Sequence, residues 1–329
     1  MKAAEPVFVT GGSGLLGTAL VKRLVSDGRS VRALGRSEGS RVKLQDMGAH
    51  PVAGDIGSVD LMADCMAGCA SVFHLAGVNA FCVRDLDEML RVNVMGSRNV
   101  VTAAARAGVS RVVYTSSATA LGEPKGTIGN ETSPHRGYFL SNYERSKYEG
   151  EMLAMRRAEE LGVDVVRVNP SSVQGPGRAS GTGKILVLYL NGKLKFFVRT
   201  TISLVDIDDC TEGHLLAERN GAPGERYVLN SSTVTIHEAL AIVARITGMA
   251  RKPRLLPGPI AAAAAAAVER VARLRGAVPP VCREMVRTLL HGHHYDGSKA
   301  VRSLGLRYTP IEVTLQRTVE WLRAEALVP

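Results

Sequence analysis

The chain has 329 residues, with 41 basic against 31 acidic side chains and a formal charge of +10. This exceeds the common single-domain size of about 100–150 residues, which excludes a minimal one-core module and predicts a large α/β unit with a smaller appended lobe. The positive balance favours anionic ligands such as phosphorylated cofactors, while the scatter of the charges and the lack of an aromatic-interleaved basic block exclude a nucleic-acid binder.

Short β-branched runs alternate with helical patterns through the first half, the signature of a Rossmann-type, doubly wound parallel sheet covered by helices. Met1–Pro6 lacks the apolar stretch of a secretory signal. The first strand, Pro6–Thr10, runs into Gly11-Gly-Ser13-Gly14-Leu15-Leu16-Gly17 and an apolar helical stripe. Glycines at this spacing serve a tight turn, a close approach of backbone to pyrophosphate and a close helix–strand contact. The helix N-terminus then faces the phosphates, so Gly11, Ser13, Gly14, Leu15, Leu16 and Gly17 are read as cofactor-binding.

The second strand, Ser30–Leu34, ends at Gly35-Arg36-Ser37, where an NAD-selective site would place a carboxylate. A guanidinium attracts the 2′-phosphate that a carboxylate repels, so Arg36 predicts NADP over NAD; the plain alternative is a solvated surface charge. After the third strand, Ala49–Ala53, Asp55 and Ile56 are placed for the adenine, although Asp55 could equally cap a helix beginning near Ser58. The fourth strand, Ser71–Leu75, contains His74, read as a satisfied core histidine, and leads into Leu75-Ala76-Gly77, where small residues let backbone approach the cofactor. Leu86, Met89, Leu90, Val94 and Val101 mark a long helix.

The fifth strand, Arg111–Thr115, ends in Thr115-Ser-Ser117-Ala-Thr119 and so carries hydroxyls to the carboxyl edge of the sheet, where such folds bind ligands. Farther on, Tyr143 and Lys147 stack a phenol and an ammonium on one helix face. A tyrosine of ordinary pKa about 10 needs a depression of several units to work near neutrality, on the order of 4 kcal/mol for three units, and a cation one turn away supplies part of it. An isolated Tyr-x-x-x-Lys is common on surface helices; the glycine loop and the serine pair give this one its weight. The sixth strand, Val163–Val168, leads to Asn169-Pro170-Ser-Ser172.

Beyond Pro170, glycines at 175, 177, 181, 183 and 192 break the chain into loops. Residues 1–170 are therefore read as mainly the cofactor domain and 171–329 as mainly a substrate-binding lobe, with some segments returning to the sheet. Asp206, Asp208 and Asp209 precede a helix through Glu212–Glu218 and suit its N-terminus. Further helices are predicted through His237–Thr247 and Ile311–Leu322. The alanine run Ile260–Val268 is too short to span a membrane and reads as a packed helix, with interfacial membrane contact as the alternative and stable insertion excluded. His291, His293 and His294 find no carboxylate or cysteine at ligand spacing, so no metal is predicted. The five cysteines, Cys65, Cys69, Cys82, Cys210 and Cys282, form no Cys-x-x-Cys pair; their odd number argues against a disulfide framework and for a reducing cytoplasm.

With these motifs together, the chain resembles an extended short-chain dehydrogenase/reductase, the superfamily of NAD(P)-dependent epimerases, dehydratases and reductases, over nearly its whole length. Arg111–Ser117, Gly175-Pro-Gly177, Gly183-Lys-Ile185, Leu190–Lys193 and Gly224–Tyr227 resemble its dihydroflavonol-reductase-like branch, within which the hopanoid-associated sugar epimerases are most similar. The resemblance implies that Ser117 and Tyr143 hold the substrate oxygen, that Tyr143 transfers the proton, and that Lys147 lowers the phenol pKa and binds the nicotinamide ribose. It further implies that Asn93 holds a proton-relay water and that Thr115, Pro170 and Ser172 border the nicotinamide. Homodimers pairing the helices after Asn79 and Ser141 are common in the superfamily.

Two activities follow from this reading: an NADP-dependent reductase or dehydrogenase on a small carbonyl or alcohol, or a nucleotide-sugar epimerase or dehydratase that recycles bound NAD. A regulator that keeps the fold without catalysis is the third, and the complete Ser117, Tyr143 and Lys147 set speaks against it.

Overall fold

A computed structural model describes residues 6–329; the reading of Met1–Glu5 lies outside them. In chain order the first half contains β1 (Val7–Thr10), α1 (Leu15–Ser26), β2 (Val31–Gly35), α2 (Glu38–Asp46), β3 (His50–Ala53), α3 (Val59–Met66) and β4 (Ser71–His74). Then come α4 (Leu86–Leu90), a π-helical turn (Arg91–Met95), α5 (Gly96–Arg106), β5 (Arg111–Thr115), α6 (Asn142–Leu161) and β6 (Asp164–Pro170). The second half runs β7 (Ser172–Gln174), α7 (Gly183–Leu190), β8 (Phe196–Val198), β9 (Thr201–Asp206), α8 (Ile207–Asn220), β10 (Arg226–Leu229) and β11 (Ser232–Thr235). It closes with α9 (Ile236–Thr247), β12 (Arg254–Leu256), α10 (Gly258–Leu274), α11 (Arg283–His291) and α12 (Ile311–Ala324).

Seven strands form one sheet in the order β10-β6-β5-β4-β1-β2-β3, with every pairing parallel. The order reverses beside β1, and the glycine loop leaves the sheet there. Because strand side chains alternate between faces, β1 feeds two cores at once. Val7 and Val9 pack with Leu20, Leu24 and Leu215 under α1 and α8. Phe8 packs with Met62, Val100 and Ala154 under α3, α5 and α6. The long predicted helix runs from α4 to α5 through the π turn, and it is this turn that carries Asn93.

The chain returns to the sheet at β10, which pairs with β6. The rest of the second half builds a lobe at the carboxyl edge of the sheet. A three-stranded sheet, β11-β9-β7, packs with α7, α9 and α12 around Leu190, Val243, Leu315 and Leu322. The helix after the aspartates starts earlier than Glu212, because Asp206 caps it by accepting the Asp208 amide hydrogen, and Arg317 pairs with both carboxylates.

Two sequence readings need correction. Cys82 and Cys282 form a disulfide across 200 residues of sequence, with Cα atoms 5.8 Å apart. Counting cysteines could not foresee it because pairing depends on which loops the fold brings together, and the argument for a reducing compartment falls with it. The alanine helix is packed only in part. Ala261, Ala265 and Ala272 are buried, while Ile260, Val268, Val271 and Leu274 are exposed. No helix among the described residues is long and apolar enough to cross a membrane.

Candidate active site

The glycine loop has the shape its spacing implies. Gly11 has φ +73° and lies so close to β4 that an added Cβ would stand 2.5 Å from the Ala76 amide nitrogen; at Gly17 it would meet the Gly11 carbonyl oxygen at 2.1 Å. Side chains are excluded at both places, which leaves a cradle of bare backbone. Gly14 caps α1 without a side-chain hydrogen bond, so the first amides of that helix are left to an anion, as a dinucleotide pyrophosphate requires. Leu15 and Leu16 open the helix, and Lys43 reaches the Ser13 carbonyl at 2.9 Å. Thr10 ties the loop to β4, with its hydroxyl 2.7 Å from His74 Nδ1 and accepting from the Ala76 amide at 3.3 Å. Burial lowers His74 to about 3, so it is a neutral core histidine.

At the end of β2, Gly35 packs against Arg41 and Ser40 of α2, and Ser37 caps that helix in a reciprocal capping box. Arg36 is exposed and pairs with Glu88 at 3.1 Å. The two arginines and a helix N-terminus thus stand where a carboxylate would select NAD. Arg41 was missed from sequence, because only the turn of α2 brings it alongside Gly35. Asp55 accepts from the Gly57 amide and pairs with Arg91 at 2.9 Å, which holds its carboxyl below the usual range. It does not cap α3, whose N-cap is Ser58. Ile56 is buried against Gly96.

Ser117, Tyr143 and Lys147 meet at the carboxyl edge of β5, because α6 runs back over the sheet with one face toward it. Ser141 starts α6 by accepting the Glu144 amide hydrogen, which sets the phase that aims Tyr143 and Lys147 inward. Lys147 donates to the Thr115 carbonyl at 2.8 Å, and burial lowers it to about 8 against the opposing Glu151 charge. Burial raises Tyr143, while the neighbouring Ser117 hydroxyl and the Arg178 guanidinium pull it down. Arg178, which follows Gly175-Pro-Gly177, is therefore a cation at the phenol that the sequence reading did not name. Arg178 Nε is buried and has no hydrogen-bond partner among the described residues. A loop residue 35 positions from its partner gives no periodic signal, although the glycines at 181 and 183 that make room for it are visible in the sequence.

The two serines after β5 are not equivalent. Ser116 donates to Glu151 at 2.5 Å, whereas Ser117 lies beside Thr119, with hydroxyl oxygens 2.9 Å apart, and next to the phenol. Glu151, one turn past Lys147, also accepts from Asn169 at 3.0 Å, Arg167 at 3.1 Å and Arg226 at 2.9 Å. Asn169 donates as well to the Ser117 carbonyl at 3.0 Å. This buried carboxylate fixes the serine loop to α6 and β6; it was missed, although Tyr143, Lys147 and Glu151 share a four-residue spacing. Thr115 is held by His214 at 2.9 Å. Asn93 spends its side chain on both backbone groups of Val78 and on Ser146, at 2.7–3.0 Å, and its carbonyl accepts from Ser97. Leu75, Ala76 and Gly77 leave β4 beside it, and an added Cβ at Gly77 would lie 3.9 Å from Lys147 Nζ. Pro170 ends β6, and Ser172 sits 2.6 Å from Thr182.

The statement that no carboxylate joins the histidines is corrected. Glu123 lies 2.6 Å from His293 Nδ1 and 3.4 Å from His291 Nε2, and the two histidines hold its carboxyl down at about 2 although burial alone would raise it. The shorter contact is a hydrogen bond, tighter than the separation of about 3.3 Å between two ligands of one tetrahedral zinc ion. The trio is therefore a buried hydrogen-bonded cluster, and His294 lies outside it.

The parallel sheet, the bare glycine cradle and the Ser117, Tyr143 and Lys147 set define an NAD(P)-dependent enzyme of the extended short-chain dehydrogenase/reductase type. Residues 7–229 match the NAD dependent epimerase/dehydratase family, and the chain belongs to it. A Synechocystis sp. protein named for dihydroflavonol 4-reductase is 34% identical over 99% of this chain and 96% of its own length. Sterol demethylase protein B of Methylococcus capsulatus is 31% identical over 98% of this chain and 99% of its own. In fold, the chain is similar to UDP-glucose 4-epimerase of Thermotoga maritima, with a TM-score of 0.79 at 22% identity over 98% of this chain and 99% of that one.

Proposed function

We propose that the protein is an NADPH-dependent reductase of a ketone or aldehyde, with the reverse oxidation available to it. The observation that carries this reading is the meeting of Tyr143, Ser117 and Lys147 at the mouth of the glycine cradle. Bound nicotinamide supplies or accepts the hydride. Tyr143 donates its hydroxyl proton to the substrate oxygen as the carbonyl becomes a carbinol, and Ser117 donates a hydrogen bond to the same oxygen. Lys147, anchored on the Thr115 carbonyl, would hold the nicotinamide ribose hydroxyls with its ammonium. The fixed Asn93 side chain ties the Val78 backbone to the Ser146 hydroxyl, one residue before that lysine. Arg178 offers a charge to an anionic or strongly polar group next to the reacting oxygen.

NADP is supported by Gly35, Arg36 and Arg41 at the end of β2, and the first relative carries the name of a reductase. A second reading, a nucleotide-sugar epimerase or dehydratase with bound NAD, is favoured by the family match and by the buried, unpartnered Arg178 nitrogen. The test is the loss of absorbance of NADPH and of NADH over a panel of ketones, aldehydes and UDP-sugars. Net NADPH consumption with a carbonyl supports the reductase. Conversion of a UDP-sugar without net consumption replaces it with the second reading. We also propose a homodimer contact on the outer faces of α6 and of the π turn leading into α5, where Met95, Met152 and Leu161 are exposed; light scattering on a size-exclusion column checks the mass.

A further inference from the structure

We propose that α10 and the turn that follows it form a docking face for a lipid bilayer with anionic headgroups. The helix is amphipathic in the wrong sense for a helix serving only its own fold. It turns Ala261 and Ala265 toward Val198, Val286 and the side chains around them, and Ala272 is buried as well. Its larger apolar residues face outward: Ile260 is 55% exposed, Val268 38%, Val271 47% and Leu274 81%. At about 100° per residue these four share one face, roughly a quarter-turn round from the buried alanines. In the segment after the helix Val278 and Val281 are also exposed, 53% and 38%. Scattered exposed apolar residues need no explanation, but four on one helix face with two more just beyond it in sequence mark a binding surface.

Charge selects the occupant. Residues 251–287 hold eight Arg or Lys and two Glu, so this ninth of the chain carries +6 of its +10. Both carboxylates are engaged internally: Glu269 pairs with Arg273 and Arg283, and Glu284 accepts the amide hydrogens of Cys82 and Asn142. Arg251, Lys252, Arg254, Arg270, Arg275 and Arg287 are exposed and make no ion pair among the described residues. By helical phase Arg270 flanks the apolar stripe, and Arg275 caps the end of the helix. An apolar ridge rimmed by arginines suits a surface whose headgroups are anionic and whose interior is hydrocarbon. A second copy of the chain fits worse, since pairing the ridge with itself would bring the same arginines together. The helix is too short to span, so the chain lies on the surface. Docking there also reaches the active site. Cys282 is bonded to Cys82, Phe81 packs edge-on to the Tyr143 ring, and Glu284 holds the first amide of α6.

The test is co-sedimentation of the full chain with vesicles of phosphatidylcholine alone and of equimolar phosphatidylcholine and phosphatidylglycerol, at low and high salt. Binding to the anionic vesicles only, weakened by salt, is the expected result. Leu274→Asp with Val278→Asp should weaken it at least about tenfold, and Arg270→Glu with Arg275→Glu should do the same while leaving the apolar ridge intact. All four positions are exposed, so circular dichroism and the melting temperature of each variant should match the wild type. The proposal is overturned if the wild-type chain stays in the supernatant with anionic vesicles, if it binds both vesicle types alike regardless of salt, or if the variants bind as well as it does. A ridge variant that changes the mass of the particle in solution while vesicles remain unbound would assign the face to self-association instead.

Discussion

Glu151→Gln isolates the buried carboxylate that holds the serine loop. The side chain is 1% exposed and accepts from Ser116, Asn169, Arg167 and Arg226. The amide keeps the shape and some of the hydrogen bonds but removes the charge, leaving Arg167 with the Gly224 carbonyl and Arg226 without its anion. Removing one partner of a buried ion pair costs about 3–5 kcal/mol. Arg167 and Arg226 retain 18% and 15% of their side-chain exposure, so partial rehydration brings the expected loss to the lower end, about 3 kcal/mol. With an m-value of about 3 kcal/mol/M, the urea midpoint should fall by about 1 M. Because Asn169 also holds the Ser117 carbonyl, kcat/KM should fall by about tenfold or more under conditions where the variant remains folded. The charges on Arg167 and Arg226 hold the Glu151 carboxyl below its ordinary range, although burial alone would raise it. The wild-type advantage should therefore be present at neutral pH and shrink only in acid, as the carboxylate gains a proton. A midpoint within 0.2 M of wild type, about 0.6 kcal/mol on that slope, would refute the reasoning.

Tyr143→Phe should lower kcat by about 10²–10⁴ while leaving the fluorescence titration with NADPH nearly unchanged, since the ring still fills its place. Lys147, lowered by burial to about 8, carries its ammonium below that pH and loses it above; with the phenol proton also required, reductive kcat/KM should decline as pH rises through about 8. Arg36→Asp should reverse the cofactor preference, raising kcat/KM with NADH relative to NADPH by about tenfold or more, measured as initial rates with each cofactor. Reducing Cys82–Cys282, which closes 200 residues, should lower the denaturation midpoint by the equivalent of about 2–5 kcal/mol.

The parts of the site that were legible in the sequence are local ones. Gly11, Gly14 and Gly17 serve a single turn between neighbouring elements, and Tyr143 and Lys147 lie within one turn of a single helix. Six strands could be placed because a sheet buried on both faces requires nearly continuous β-branched and apolar runs. The cation at the phenol, the Glu151 network, the Cys82–Cys282 bond and the pairing of Glu123 with His291 and His293 join residues 16 to 200 apart, far beyond the reach of helical or strand periodicity.

The order of residues by itself determined a dinucleotide cradle, a doubly wound sheet and a Tyr-Lys pair, because backbone sterics and helical or strand periodicity act over a few residues. Only the tertiary structure decided which charges meet at Tyr143, which cysteines pair and which face of the alanine helix is left bare. Those outcomes depend on how the loops and helices beyond Pro170 pack over the sheet, and packing is set by the shape of the whole chain rather than by any short stretch of it.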